Sequence, residues 1–297
     1  MENATKNPLL DPGFLRKLEH LALIARRVQL GVTKGERRSK RKGSSIEFAD
    51  YRDYVQGDDL RHVDWNIAAR LNTLYLKLFQ EQEDLTLHLL IDASTSMAYG
   101  DPAKLDFACK MAAAIGYIAL VGFDRLSVEA FSSDQRSYLP ACRGKASAGK
   151  LFSFLEGVRA GGGTALEDSC RSYLLRNRAK GVAVLLSDFL DPAGYEGCLR
   201  RLCMAGSDLY VIQMLSPEEV DPDVSGDLRL IDCETEAYTE ISMSPSLVRR
   251  YKKNLDTFRE SLRQACLARG IGYIFATSDT PFEQLTLEVL RRGGMLK

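Results

Sequence analysis

The sequence has few of the residues that build common catalytic and metal centres. Only three of its 297 residues are histidine, and none of His20, His62 and His88 has a cysteine close by in sequence. The seven cysteines form no CxxC pair, so a zinc site is not expected. A GxxxxGK[ST] loop is also missing, which excludes ATP binding through a P-loop. An odd number of thinly spread cysteines indicates reduced, mostly buried thiols of a cytoplasmic protein.

Long apolar runs and an excess of one charge are missing as well. The longest nearly uncharged apolar stretch, residues 111–123, is too short to span a bilayer. The first ten residues lack the basic-then-apolar order of a signal peptide. Lys plus Arg and Asp plus Glu each number 40, which argues against a generally cationic nucleic-acid-binding protein.

The balanced charges are nevertheless sorted into blocks. Basic and acidic side chains number 11 and 4 in residues 1–45, 4 and 9 in 46–84, 1 and 10 in 206–242, and 10 and 5 in 243–297. Such sorting indicates directed contacts, either within the fold or with a partner. Residues 34–42 hold six Lys or Arg and allow a nucleic-acid contact. A solvated or docked loop is favoured because aromatic residues are not interleaved.

From residue 85 onward the pattern predicts an α/β domain. Apolar runs occupy 85–92, 125–131, 181–188, 208–215 and 270–277, with helical segments at 102–121, 145–159, 165–178, 193–205, 245–269 and 281–293. Continuously apolar strands are typical of buried parallel sheets. The alternation predicts a Rossmann-like open, mostly parallel sheet with helices on both faces.

The remaining segments complete a two-part organisation. A short pair of runs predicts a hairpin insertion near 228–241, inside a domain of residues 85–297. Residues 1–84 form an N-terminal part in this interpretation, with an amphipathic helix over 12–30, the basic loop, and a charged irregular or β extension.

The first strand of the α/β domain ends in a DxSxS motif formed by Asp92, Ser94 and Ser96. In a locally extended segment, alternate residues face the same way. Ligands bind at the carboxyl edge of an open α/β sheet, and hard oxygens in a cluster suit Mg²⁺ or Mn²⁺. Thr164, after three glycines, and Asp188, at another strand end, are expected at the same edge. Helix capping alone remains the alternative explanation for these residues.

These five positions resemble, in order and spacing, the metal-ion-dependent adhesion site of von Willebrand factor A domains. The resemblance covers residues 85–297. It implies that Asp92, Ser94, Ser96 and Thr164 approach the metal directly or through water, while Asp188 holds a coordinated water. It also implies that the open coordination position takes an acidic side chain of a protein partner, so that the metal serves recognition and not catalysis.

The extension is dense in groups that form ion pairs, and it contains the only tryptophan. Two interpretations remain open, an internal salt-bridge cluster that fastens the extension to the α/β domain and a partner-docking surface. The signature residues are Glu47, Arg52, Asp58, Asp59, Arg61, Asp64, Trp65 and Arg70.

This run, continued by LSPEE at 215–219 and IDCET at 231–235, resembles the domain-of-unknown-function-58 family. The resemblance implies a von Willebrand factor A-like domain and a partner role beside a MoxR-type AAA+ ATPase in chaperone or assembly systems. A non-enzymatic interaction module is therefore expected. A metal-dependent hydrolase and a nucleic-acid binder through 34–42 are the alternatives, although no Ser/His/Asp or Cys/His set lies near the sheet edge.

Overall fold

The computed structural model describes residues 10–11, 13–19, 46–56, 58–71, 73–81, 86–177, 181–224, 226–234, 237–281 and 285–286. Two compact units result, one of Thr33–Asp84 and the other of Met1–Val32 with Leu85–Lys297. The basic segment 34–42, residues 20–30 of the predicted first helix and most of the predicted helix 281–293 lie outside the described residues.

The described elements are as follows. The strands are β1 (Ile46–Asp53), β2 (Tyr75–Glu81), β3 (Thr86–Asp92), β4 (Arg125–Phe131), β5 (Arg136–Arg143), β6 (Val182–Ser187), β7 (Asp208–Leu215), β8 (Gly226–Ile231), β9 (Tyr238–Met243) and β10 (Gly272–Thr277). The helices are α1 (13–19), α2 (Trp65–Leu71), α3 (Lys104–Val121), α4 (Ala148–Gly157), α5 (Leu166–Arg176), α6 (Glu196–Met204), α7 (Pro217–Val220) and α8 (Pro245–Leu267).

A six-stranded sheet forms the centre of the larger unit, and the predicted fold class is confirmed. Its strand order is β10-β7-β6-β3-β4-β5, and only the pair β4–β5 is antiparallel. Numbered along the chain, this is the 3-2-1-4-5-6 order of doubly wound α/β sheets, in which ligands bind where the order reverses. That switch point lies between β3 and β6.

Alternating side chains of the sheet pack into two apolar cores, one on each face. Leu89 and Ile91 of β3 pack in a cluster that includes α3 and α4, whereas Leu90 packs in a second cluster with α5, α6 and α8. Every residue of β3 and of β6 is buried. This burial explains their uninterrupted apolar sequences, because strands covered on both faces need no polar alternation.

Helix α1 belongs to the larger unit, which differs from the predicted grouping of residues 1–84. Phe14 and Leu18 lie in the same apolar cluster as α3, and Glu19 accepts a 2.5 Å hydrogen bond from Tyr117. The apolar face of this helix therefore covers the sheet unit. Chain order alone does not show this, because the helix and α3 are about a hundred positions apart in sequence.

Two further features differ from the sequence predictions. Strand β5 was not predicted, because as an edge strand it is mostly exposed and lacks an apolar run. The prediction of reduced thiols is wrong for Cys170 and Cys198, which form a disulfide between α5 and α6 with Cα atoms 5.7 Å apart. Strand β6 separates the two helices in sequence, so spacing gave no sign of this pairing.

The smaller unit contains the antiparallel pair β1–β2 with α2 between its strands. The β part of the predicted extension is therefore present. Helix α2 has no buried residue, which explains why no apolar period marks it in the sequence. No helix within the described ranges is both long and apolar enough to cross a lipid bilayer.

Candidate functional site

Four of the five predicted site residues converge at the carboxyl ends of β3 and β6. Asp92 ends β3, and Asp188 follows the last residue of β6, so the two carboxylates flank the switch point of the sheet. Ser94 and Ser96 follow β3, and Ser96 lies in a 3-10 turn over Thr95–Ala98. The hydroxyls therefore converge through this turn and not through the extended backbone that the motif suggested.

Asp92 is fully buried and held by its neighbours. Its Oδ1 accepts a 2.9 Å hydrogen bond from the Ser94 amide, and its Oδ2 accepts a 2.6 Å bond from the Ser187 hydroxyl. Burial, and after it the Asp188 carboxylate, raise the pKa of Asp92 to about 6. The ionised form of Asp92 is therefore destabilised by burial and by the second negative charge at Asp188.

Two hydroxyls connect the ends of the strands. The Oγ atoms of Ser94 and Ser96 are 3.0 Å apart, and the Ser96 hydroxyl donates to Asp188 Oδ2 at 3.0 Å. Oxygen ligands of Mg²⁺ lie at about 2.0–2.1 Å, so neighbouring corners of its octahedron are about 3.0 Å apart. The distances from Ser96 Oγ to Ser94 Oγ and to Asp188 Oδ2 each fit a pair of adjacent ligands of such an ion.

A lysine supplies positive charge at the same carboxylate. Lys104, at the start of α3, is fully buried, and its Nζ donates to Asp188 Oδ2 at 2.7 Å and to Glu219 Oε1 at 2.6 Å. Glu219 in turn forms a capping box with Ser216 at the start of α7. Two carboxylates thus share one ammonium group, and Asp92 adds a third carboxylate to the cluster.

The backbone after β6 is strained where it presents Asp188. Phe189 has a φ of 63°, a left-handed conformation that costs free energy for an aromatic residue. Its amide donates to Ser187 Oγ at 2.9 Å, and the Leu190 amide donates to Asp188 Oδ1 at 3.1 Å. The turn thereby fixes the Asp188 carboxylate toward Ser96 and Lys104.

Thr164 lies on a neighbouring loop and has a different partner. The Thr95 hydroxyl and amide both donate to the Gly162 carbonyl, at 2.9 and 2.8 Å, and hold this loop against the DxSxS turn. Thr164 itself donates to Glu234, from its amide at 3.0 Å and from its hydroxyl at 2.7 Å. The structure thus brings Asp92, Ser94, Ser96 and Asp188 together, and it pairs Thr164 with an acidic residue of the chain.

The donor set fits a hard divalent cation. Within the described part of the chain, no three His, Cys, Asp or Glu side chains meet as a metal cluster. An ion at this site would depend on two carboxylates and on hydroxyl oxygens, which are ligands that Mg²⁺ and Mn²⁺ accept. The excess negative charge at Asp92 favours the same type of ion.

Comparison with known proteins places the chain in a family. A family model described as "Protein of unknown function DUF58" matches residues 50–261. The chain belongs to the DUF58 family. "Uncharacterized protein Rv1480" of Mycobacterium tuberculosis and "Uncharacterized protein Mb1516" of Mycobacterium bovis are each 29% identical over 247 residues, covering 80% of this chain and 76% of the relative.

Solved structures with a similar chain path include two shorter proteins. The conserved hypothetical protein BatB from Bacteroides thetaiotaomicron is 13% identical, with a TM-score of 0.44, over 71% of this DUF58 chain and 99% of BatB. The SpRpn10 VWA domain is 10% identical, with a TM-score of 0.41, over 69% of this chain and 94% of that domain.

In this DUF58 member, charged signature residues of the extension pair with close sequence neighbours. Arg52 Nη2 lies 2.7 Å from Asp58 Oδ1, and Asp58 also accepts a bond from the Val55 amide. Arg61 Nη2 lies 2.6 Å from Asp59 Oδ2. The first pair closes the turn after β1, and the second orders the turn before α2.

The other signature residues have separate positions in the same unit. Asp64 is buried, accepts a 3.1 Å bond from the Tyr51 hydroxyl, and accepts amide bonds at the start of α2. Trp65 is 60% exposed, and Arg70 is exposed in the last turn of that helix. The side chain of Glu47 lies outside the described residues.

Sequence reasoning missed three charged residues of the site, Lys104, Glu219 and Glu234. A readable signal existed for Glu219, because Ser216 and Glu219 have the S-x-x-E spacing of a capping box. Lys104 begins a mostly apolar helix after the DxSxS turn, which is a weaker sign. Nothing in the sequence connects Glu234 to Thr164.

Proposed function

We propose that this DUF58 protein is a non-catalytic protein-interaction module that binds an acidic side chain of a partner through a divalent cation. Asp92, Ser94, Ser96 and Asp188 would hold Mg²⁺ or Mn²⁺, with Thr164 beside them. The ion would supply a positive charge with an open coordination position. One observation carries the proposal. Beside the buried Asp92, Ser96 Oγ lies 3.0 Å from Ser94 Oγ and 3.0 Å from Asp188 Oδ2.

Recognition, and not hydrolysis, suits the groups that surround this site. A hydrolase needs a positioned base or nucleophile in addition to the ion. His88 lies inside β3, where its Nδ1 is 2.7 Å from Ser127 Oγ, and it is therefore occupied within the sheet. The Ser96 hydroxyl is bonded to a carboxylate that Lys104 already pairs with, which leaves it poorly activated as a nucleophile.

A MoxR-type AAA+ ATPase is the proposed partner, and the cytoplasm the proposed location. The family resemblance of the extension and of 215–219 supports this choice. The block of 10 acidic and 1 basic side chains at residues 206–242 is also consistent with a charged docking surface.

Capture of a purified MoxR-type ATPase from the same organism tests the proposal. The full chain is immobilised with Mg²⁺ or with EDTA, as wild type, as Ser96→Ala, and as Ser246→Ala, which makes the same change at an exposed position. We expect capture by wild type and by Ser246→Ala in Mg²⁺, with loss in EDTA and in Ser96→Ala. Equal capture in EDTA would refute the metal-dependent contact, and no capture in any arm would refute this partner.

A further inference from the structure

The acidic residue that Thr164 binds comes from the hairpin β8–β9. Glu234 lies in the connection between the two strands, and its Oε2 and Oε1 accept from the amide and the hydroxyl of Thr164 at 3.0 and 2.7 Å. Each oxygen of the carboxylate thus has its own donor. Hydrogen bonds to an ionised group are stronger than neutral ones, so this loop position binds a carboxylate.

The loop is built so that the Thr164 amide points outward to an anion. The preceding amide, of Gly163, donates to Ser133 Oγ at 2.8 Å, and the Ser133 amide donates to the Gly163 carbonyl at 2.8 Å. Thr95 fixes the Gly162 carbonyl from the other side. The loop is therefore held in place by contacts that do not involve Glu234.

The hairpin that carries Glu234 is paired separately from the six-stranded sheet. β8 and β9 form a two-stranded sheet of their own, and most of their residues are exposed. Isolated two-stranded hairpins are marginally stable in water. The connection is closed locally by a bond from the Glu234 amide to Asp232 Oδ1 and one from the Asp232 amide to the Ala237 carbonyl.

The positive charge of Lys104 acts on the same connection between β8 and β9. The pKa of the Cys233 thiol is raised by burial and by the carboxylates of Glu234 and Asp232, and it is lowered by Lys104. The connection that carries Glu234 therefore lies close enough to the site for the Lys104 charge to act on it.

We propose that the loop ending at Thr164 is a carboxylate-binding subsite which the chain's own Glu234 occupies, and that a partner binds by inserting an Asp or Glu side chain in exchange. The proposal rests on the proposed function for the nature of the partner. The chemistry of the subsite itself, an amide and a hydroxyl on one carboxylate, needs no metal. While Glu234 occupies the subsite, an external carboxylate cannot bind there. The hairpin therefore lowers the affinity for every acidic partner, since only the fraction of molecules with an empty subsite binds.

Removing the internal carboxylate should therefore strengthen binding of an external one. The probe is acetyl-Gly-Glu-Gly-amide, compared with its Gln analogue, and binding is followed through the backbone amide signal of Thr164 in ¹⁵N-labelled full chain with EDTA. If the subsite is open about one part in ten, Glu234→Ala binds the Glu peptide about tenfold more tightly than wild type. Glu240→Ala removes an exposed carboxylate from the same hairpin and should behave as wild type.

The outcomes separate this proposal from the metal site. Equal peptide affinity of wild type, Glu234→Ala and Glu240→Ala would overturn it, as would shifts that leave the Thr164 amide unchanged. Repeating the titration with MgCl₂ tests the proposed function. Tighter binding by Glu234→Ala with no effect of Mg²⁺ supports the subsite and contradicts the metal contact. Mg²⁺-dependent binding that is identical in wild type and Glu234→Ala supports the metal contact and contradicts the subsite.

A second measurement needs no peptide. Hydrogen exchange of the Thr164 amide should be protected in wild type and in Glu240→Ala, because Glu234 accepts from it. In Glu234→Ala the same amide should exchange at least tenfold faster, while amides of β3 keep their protection and report an intact sheet. Unchanged protection of Thr164 in that variant would overturn the internal occupancy.

Discussion

Replacing Lys104 by Met tests how the site holds its charge. The side chain is fully buried, and its ammonium is the partner of both Asp188 and Glu219, at 2.7 and 2.6 Å. Methionine fills a similar volume but removes the charge. Asp188, also fully buried, is then left with hydroxyl and amide donors alone.

The magnitude follows from that burial. Removing one partner of a buried ion pair costs about 3–5 kcal/mol, because the other charge remains desolvated. Glu219 retains 16% exposure of its side chain and stays partly hydrated, so the greater part of the cost comes from Asp188. For a unit of this size the loss corresponds to a fall in Tm of about 6–20 °C.

Urea unfolding of the full chain in EDTA measures this loss of unfolding free energy. Lys110→Met makes the same change at a half-buried position of α3 and should stay within about 0.5 kcal/mol of wild type. The triple variant Lys104→Met, Asp188→Asn, Glu219→Gln should recover much of the loss, because the two carboxylates that Lys104 paired with no longer carry a charge. A Lys104→Met loss no larger than that of Lys110→Met would refute the charge argument.

Three other predictions concern different parts of the molecule. Because the pKa of Asp92 is raised to about 6, the folded chain keeps a proton that the unfolded chain loses, and unfolding free energy in EDTA should fall by about 2 kcal/mol as pH rises from 4 to 6; urea titrations in which Asp92→Asn shows the same slope would contradict this. Gly181→Ala should lower the unfolding free energy by more than about 1 kcal/mol, because its Cβ would lie 2.0 Å from the Thr86 carbonyl oxygen. The matched change Gly149→Ala in α4, where a Cβ meets nothing within 4 Å, should raise it by about 0.5 kcal/mol. Thermal melting of both variants measures the difference. Alkylation in denaturant should label five thiols without reductant and seven with it, and seven in both cases would contradict the disulfide of α5 and α6.

Features that depend on local pattern could be predicted from the sequence. β4 and β7 have the predicted bounds, since buried parallel strands are read directly as apolar runs. Asp92 and Asp188 could be placed at one sheet edge for the same reason, because both follow such runs. The exposed edge strand β5 and the short exposed helix α2 carry no periodic signal and were not visible.

The charged partners at the site depend on contacts over long distances in sequence. Lys104 meets carboxylates 84 and 115 positions away, and Thr164 meets Glu234 over 70 positions. No spacing rule relates such residues. Their meeting is a consequence of the doubly wound strand order, which brings the loops after β3, β6 and β7 to one edge of the sheet.

Direct titration with Mn²⁺ tests whether the hydroxyls and carboxylates after β3 and β6 form a divalent-cation site. Electron paramagnetic resonance reports free Mn²⁺ as the full chain is added, for wild type, Ser96→Ala and the surface control Ser246→Ala. We expect one bound ion per chain in wild type and in the control, displaced by Mg²⁺, and binding at least tenfold weaker in Ser96→Ala. Absence of binding in wild type, or equal binding in Ser96→Ala, would contradict it.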